Sequence, residues 1–111
     1  MLYDLSFLKE LSNNDEVFIK EIVDQFISEL SIIGEYVYSA YQERDFEAEY
    51  NYLHKIKSPL TNFKSILLIA FVDQLEVFAS NKVVSEAHEK LATQFKDTMA
   101  LLNKELNENE L

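Results

Sequence analysis

The chain has 111 residues, enough for one domain and too few for two. Hydrophobic residues make up 48%, including eight Phe and six Tyr, which can fill a core, while twenty Asp and Glu against ten Lys and Arg give a charge of −10 that would repel nucleic acid and anionic lipid. One Gly, one Pro and no Cys argue against an all-β fold, rule out glycine-rich phosphate loops, and remove disulfides, thiolate chemistry and cysteine-based zinc sites.

The longest apolar run, Ile66 to Val72, has seven residues, whereas a membrane span needs about 20. The opening Met1-Leu2-Tyr3-Asp4 has no basic or long apolar segment of the signal-peptide kind. The expected protein is soluble and cytoplasmic.

A short amphipathic piece, Leu5 to Leu11, follows Asp4, which can cap it. From Asp15 to about Tyr41, Ile19, Val23, Phe26, Leu30, Ile33, Val37 and Tyr41 recur at steps of three and four, so the spacing predicts one helix about 40 Å long. Asn13 with Glu16 fits a capping box at its start, and Gly34 inside it marks a bend or a close helix contact.

The next helical pattern runs from Asp45, a plausible N-cap, through Phe46, Leu53, Ile56, Leu60 and Phe63. A third, about Ser65 to Ser80, is apolar on most sides, as in a helix with little exposure. The fourth, from about Val83 to Leu106, carries Val84, Ala87, Leu91, Phe95, Leu102 and Leu106 on one stripe. The links are short, which favours antiparallel neighbours. The expected fold is therefore all-α: an antiparallel up-down-up-down four-helix bundle with an additional short N-terminal helix. It forms one domain over residues 1–111, with a polar tail from about residue 103 expected to fray.

Such a bundle has few ways to do chemistry, which narrows the search to two histidines. His88 has no ligand at metal spacing around it and reads as an ordinary surface or boundary residue. His54 stands one position past Leu53, rotated by about 100° to the edge of the core face, so it should reach solvent with its stem braced. Its neighbours at steps of three, four and seven are Tyr50, Asn51, Lys57, Ser58 and Thr61. Lys57 can place an ammonium beside whatever His54 carries, and Ser58 and Thr61 leave room above the ring. A neutral imidazole is nucleophilic near pH 7, so this surface suits a phosphoryl group.

His54-Lys55-Ile56-Lys57-Ser58 resembles the His-x-x-Lys-Gly segment of histidine-containing phosphotransfer (HPt) domains, which serve multistep two-component phosphorelays. Asp4 to Leu11 looks like the family's short opening helix, and Asp15-Glu16-Val17-Phe18 with Phe26 and Leu30 like its first long helix. Asp45 stands nine residues before His54 as the family aspartate does, and Leu75-Glu76 falls where the next helix commonly carries Leu-Glu facing the histidine. The resemblance covers most of residues 4 to 80.

It implies that His54 is the phosphorylated residue, that Lys57 helps neutralise the phosphoryl group, and that Lys55 is a less constrained neighbour. Asn51, Ser58, Thr61 and Glu76 would support docking or orient the ring, with Glu76 accepting from the other ring nitrogen. The implied function is phosphoryl relay between aspartates of response-regulator and hybrid-kinase receiver domains. The chain would be a phosphohistidine carrier with no ATP site or metal of its own, and Mg²⁺ would come from the receiver. A monomer is expected, with no nucleic-acid or membrane partner.

Two departures stand out. Ser58 replaces the family glycine and should restrict partner access. Pro59 should kink the helix and leave the Lys55 carbonyl without its donor. His54 followed by Ser58-Pro59-Leu60 also looks like the H-box of sensor histidine kinases, which makes a dimerising phosphoacceptor fragment the alternative. Lys55 in place of an acidic residue, and the long helix before the histidine, weigh against it. A non-catalytic helical adaptor is the reading from another class.

Overall fold

Six helices make up the regular structure of residues 2–108, the part that the computed structural model describes. They are α1 (Ser6–Leu11), α2 (Glu16–Leu30), α3 (Ile33–Gln42), α4 (Phe46–Asn62), α5 (Ile66–Ser80) and α6 (Glu86–Glu108), with no strand among the described residues. The all-helical expectation is met. None of these helices is long and apolar enough to cross a membrane.

Carboxylates set the starts of α1, α2 and α4. The Asp4 Oδ1 accepts from the Ser6 amide at 2.8 Å, and the Asp45 Oδ1 accepts from the Ala48 amide at 3.1 Å. The cap of α2 is Asp15, whose Oδ1 accepts from the amides of Val17 and Phe18, and not Asn13. Asn13 and Asn14 instead take the left-handed conformation in the turn leaving α1, with φ 55° and 63°.

With a single glycine in the chain, the helix ends use other residues. Arg44, Lys64 and Lys82 adopt positive φ just past α3, α4 and α5. The amides of Asp45, Ser65 and Val83 then turn back to the carbonyls of Ala40, Leu60 and Phe78 at 2.9–3.0 Å. Each reversal keeps its link short.

The pattern from Asp15 to Tyr41 forms two helices rather than one. Ser31 and Ile32 form a turn, and the Ser31 carbonyl accepts from the Asn103 side-chain amide of α6 at 3.2 Å. Just past the break, Gly34 lets α3 approach α6 so closely that a Cβ there would lie 3.0 Å from Met99 Cβ and 3.1 Å from Lys96 Cα. Of the two roles expected for Gly34, the close helix contact is the one the structure shows; the break falls at Ser31 and Ile32.

Most core positions follow the predicted stripes, although Leu30 and Phe46 are only half-buried and α5 and α6 differ further. On α6 the buried face is His88, Ala92, Phe95, Met99, Leu102 and Leu106, whereas Val84 and Ala87 are exposed and Leu91 is half-buried. Stepping back from Phe95 by three and four leads to Ala92 and His88, one position round from the expected stripe. On α5, Leu68, Val72, Leu75 and Ala79 are buried, but Ile66, Leu67 and Val77 are exposed, so the helix is less enclosed than its composition suggests.

The expected polar tail is helical through Glu108, because Leu102 and Leu106 are buried and hold the last turns; residues 109–111 lie outside the described part. Helix α4 lies against α3 and α5, and α6 against α3 and α5. Phe26 of α2 meets Phe63 edge to face, with ring centroids 4.8 Å apart. At the end of α4, α1 is tied down by the Asp4 amide on the Phe63 carbonyl (2.7 Å) and by Lys64 Nζ donating to Ser6 Oγ (3.0 Å).

Candidate functional site

Helix α4 presents its buried face, Leu53, Ile56 and Leu60, to the core, and His54 is rotated off that face. The His54 side chain is 71% exposed, as its position beside Leu53 predicts. Tyr50, one turn earlier, stacks on the ring with centroids 5.9 Å apart and planes 10° from parallel. This contact braces one face of the imidazole and leaves its edge open to solvent.

The neighbouring helix supplies the acidic side. Glu76 of α5, 13% exposed, brings Oε2 to 3.7 Å from His54 Nδ1 and Oε1 to 3.5 Å from Lys57 Nζ. Asp73, one turn earlier on α5, accepts a 2.7 Å ion pair from the same ammonium. Two pairs spaced by three residues, His54 with Lys57 and Asp73 with Glu76, thus face each other across α4 and α5. The Asp73 hydrogen bond, joined by the charge of Glu76, holds the Lys57 ammonium above the usual lysine range.

At 3.7 Å the His54–Glu76 approach is an ion pair only when the ring is protonated, and it is longer than a hydrogen bond. Glu76 is therefore poised to stabilise positive charge on Nδ1 while Nε2 remains available. The sequence pattern anticipated Glu76. It missed Asp73, although an Asp three residues before Glu76 mirrors the spacing of His54 and Lys57.

Asn51, Ser58 and Thr61 stand three, four and seven positions from His54, whereas Lys55 is turned about 100° away. Asn51, Lys55, Ser58 and Thr61 are exposed, and the Thr61 hydroxyl donates to the Lys57 carbonyl at 2.9 Å. Pro59 lies inside α4, which continues to Asn62. Ser58 and Pro59 border a hollow of about 210 Å³ between α2 and α4, floored by Phe26 and Phe63. No group of three or more acidic residues, His or Cys among the described residues could hold a metal.

His88 is not a surface or boundary residue. It is fully buried, with Nδ1 2.7 Å from the Val83 carbonyl and Nε2 2.6 Å from Oε2 of Glu49, itself fully buried on α4. A carbonyl can only accept, so Nδ1 carries a hydrogen and a single proton lies between Nε2 and Glu49. The pair is then neutral as a whole, whichever partner holds that proton. Burial pushes the Glu49 carboxyl above the usual carboxylate range, against the opposing pull of His88.

Aromatic rings enclose this pair. Tyr41 lies 4.0 Å and Phe78 5.1 Å from the imidazole, centroid to centroid, and the Tyr41 hydroxyl donates to the Ser85 carbonyl at 3.0 Å. Ser85 Oγ in turn accepts from the His88 amide at 3.1 Å, capping α6. Both buried groups were legible: Glu49 falls on the stripe Phe46, Leu53, Ile56, and His88 on the stripe Ala92, Phe95, Met99. Glu49 was passed over as a charged residue within that stripe, and His88 because the predicted α6 stripe ran one position round from the buried face.

Comparison of the chain with protein-family models, with curated proteins and with solved structures gave no match.

Proposed function

We infer that the chain is a histidine phosphotransfer protein of the HPt type, carrying a phosphoryl group on His54 between receiver-domain aspartates. The observation that carries this reading is the exposed His54 ring with one nitrogen turned toward Glu76 and a lysine one turn away on the same face. The Nε2 lone pair attacks phosphorus, the bond from phosphorus to the aspartyl oxygen breaks, and the receiver recovers its carboxylate. The positive charge left on the ring is met at Nδ1 by Glu76, and Lys57 meets the phosphoryl oxygens. The reverse sequence delivers the group to a second aspartate.

An antiparallel up-down-up-down bundle, with the α2–α3 pair, α4, α5 and α6 as its four members and α1 at one end, is the arrangement that suits this role. The buried faces of α4 and α5 lie against α3 and α6 of the same chain, which favours a monomer over the kinase-type dimer. Mg²⁺ belongs to the receiver on this reading. Light scattering should give a mass near 13.0 kDa.

The test is a panel of phosphorylated receiver domains incubated with the wild-type chain, His54→Gln and His88→Gln. Acid-labile, base-stable phosphate should form on the wild type and be abolished in His54→Gln. His88→Gln, assayed at a temperature where it is folded, should retain it. Labelling of His54→Gln at the wild-type level would overturn the assignment.

A further inference from the structure

Resting on the phosphotransfer reading, we propose that Asp73 is a positioning residue that competes with the phosphoryl group for Lys57 and thereby keeps phospho-His54 reactive as a donor. Lys57 has two carboxylate partners before any phosphate arrives, at 2.7 Å to Asp73 and 3.5 Å to Glu76. A phosphoryl group on Nε2 offers the ammonium a third, more strongly charged acceptor. The carboxylate of Asp73 does not leave, so it continues to draw on the same cation and repels the dianion.

The two carboxylates differ in what they can do. Glu76 is largely buried and faces both His54 and Lys57, so it belongs to either state of the site. Asp73 is half-exposed and touches Lys57 without an ion pair to His54 among the described residues, so its effect on the imidazole passes through the ammonium. With the carboxylate in place, Lys57 is shared and the phosphohistidine is stabilised less than a free lysine would allow. Its charge removed, Lys57 turns wholly to the phosphoryl oxygens, and the group stays on His54 longer. An exposed ion pair adds little to fold stability, so these effects should appear in transfer and not in unfolding.

The experiment uses phosphoramidate as the phosphodonor, which removes any dependence on an unidentified receiver. The Nε2 lone pair attacks phosphorus, the P–N bond of phosphoramidate breaks, and the departing nitrogen leaves as ammonia after taking a proton from solvent. Wild type, Asp73→Asn, Asp73→Glu and His54→Gln are labelled, freed of phosphoramidate, and followed for hydrolysis of phosphohistidine, in which water attacks phosphorus, the P–Nε2 bond breaks and inorganic phosphate leaves. Asp73→Asn should lose the group about threefold more slowly than wild type, and Asp73→Glu should restore the wild-type rate. Competitive acylation provides the second readout: before phosphorylation, Lys57 should react faster in Asp73→Asn than in wild type, with Lys55 as the internal reference.

Equal rates of loss in wild type and Asp73→Asn, with His54 labelled in both, would overturn the role of Asp73 and leave the phosphotransfer reading standing. Unchanged Lys57 acylation would overturn it as well. Absence of label on wild-type His54 would remove the phosphotransfer reading and this proposal with it.

Discussion

Replacing Glu49 by Gln converts the buried acid into a neutral isostere that can still donate to His88 Nε2, because Val83 keeps the hydrogen on Nδ1. The substitution should therefore preserve packing while removing one titrating group. In wild type the folded pair retains one proton, whereas the unfolded Glu49 carboxyl releases its proton near its ordinary value of 4.5. Above that pH the folded pair keeps a proton that the unfolded Glu49 has released, and this difference is absent from Glu49→Gln. A carboxyl whose folded pKa is raised contributes most at low pH and loses that contribution as pH rises toward the folded value.

The stability of wild type relative to Glu49→Gln should therefore fall as pH rises above 4.5 toward the raised folded value of the carboxyl. Urea unfolding of both proteins at pH 5, 6 and 7 measures this directly. Curves of stability against pH that run parallel from 5 to 7 would refute the single shared proton. Glu49→Ala is the contrasting perturbation: it strands His88 Nε2 without a partner and opens a void, and should cost about 3 kcal/mol. Against a total of roughly 5–15 kcal/mol for a domain, that loss is large.

Gly34→Ala should destabilise the fold by about 1–2 kcal/mol despite the better helix propensity of Ala, because the Lys96 backbone 3.1 Å from the new Cβ cannot rotate away; thermal melts check the sign. Lys57→Ala should slow phosphoryl transfer from a receiver onto His54 about tenfold, and Lys55→Ala less than about twofold, at fixed ionic strength. Ser58→Leu should block transfer between proteins while leaving phosphoramidate labelling of His54 intact, since a helical side chain leans toward the preceding turn and would cover the ring from a large partner. Transfer at the wild-type rate in that variant would place the docking surface elsewhere.

The elements that could be read from the sequence are those whose apolar residues repeat without interruption. Helix α4 and its cap Asp45 follow from the stripe and from a carboxylate at its head, and His54 follows from standing one position off that stripe. The break at Ser31 could not be read, since Leu30 and Ile33 keep the helical spacing across it and the Ser31 carbonyl is met by Asn103, 72 residues away. Long-range partners of this kind leave no local period. The helix ends at Arg44, Lys64 and Lys82 were hidden for a different reason: they use the left-handed conformation without the glycine that usually signals it.

The two constellations on α4 also explain each other. Glu49 and His54 are five residues apart, or about 140° round the helix, so one points into the core and the other to solvent. A buried neutral pair joining α4 to α6 fixes the rotation of α4 about its axis, because turning Glu49 away from His88 would strand two desolvated groups. That same rotation decides whether His54 and Lys57 face Glu76 and Asp73 across α5. The exposed ion pairs cannot set this geometry, since salt and water compete for each of them. The pair with no solvent contact holds the helix at the angle that the exposed site requires.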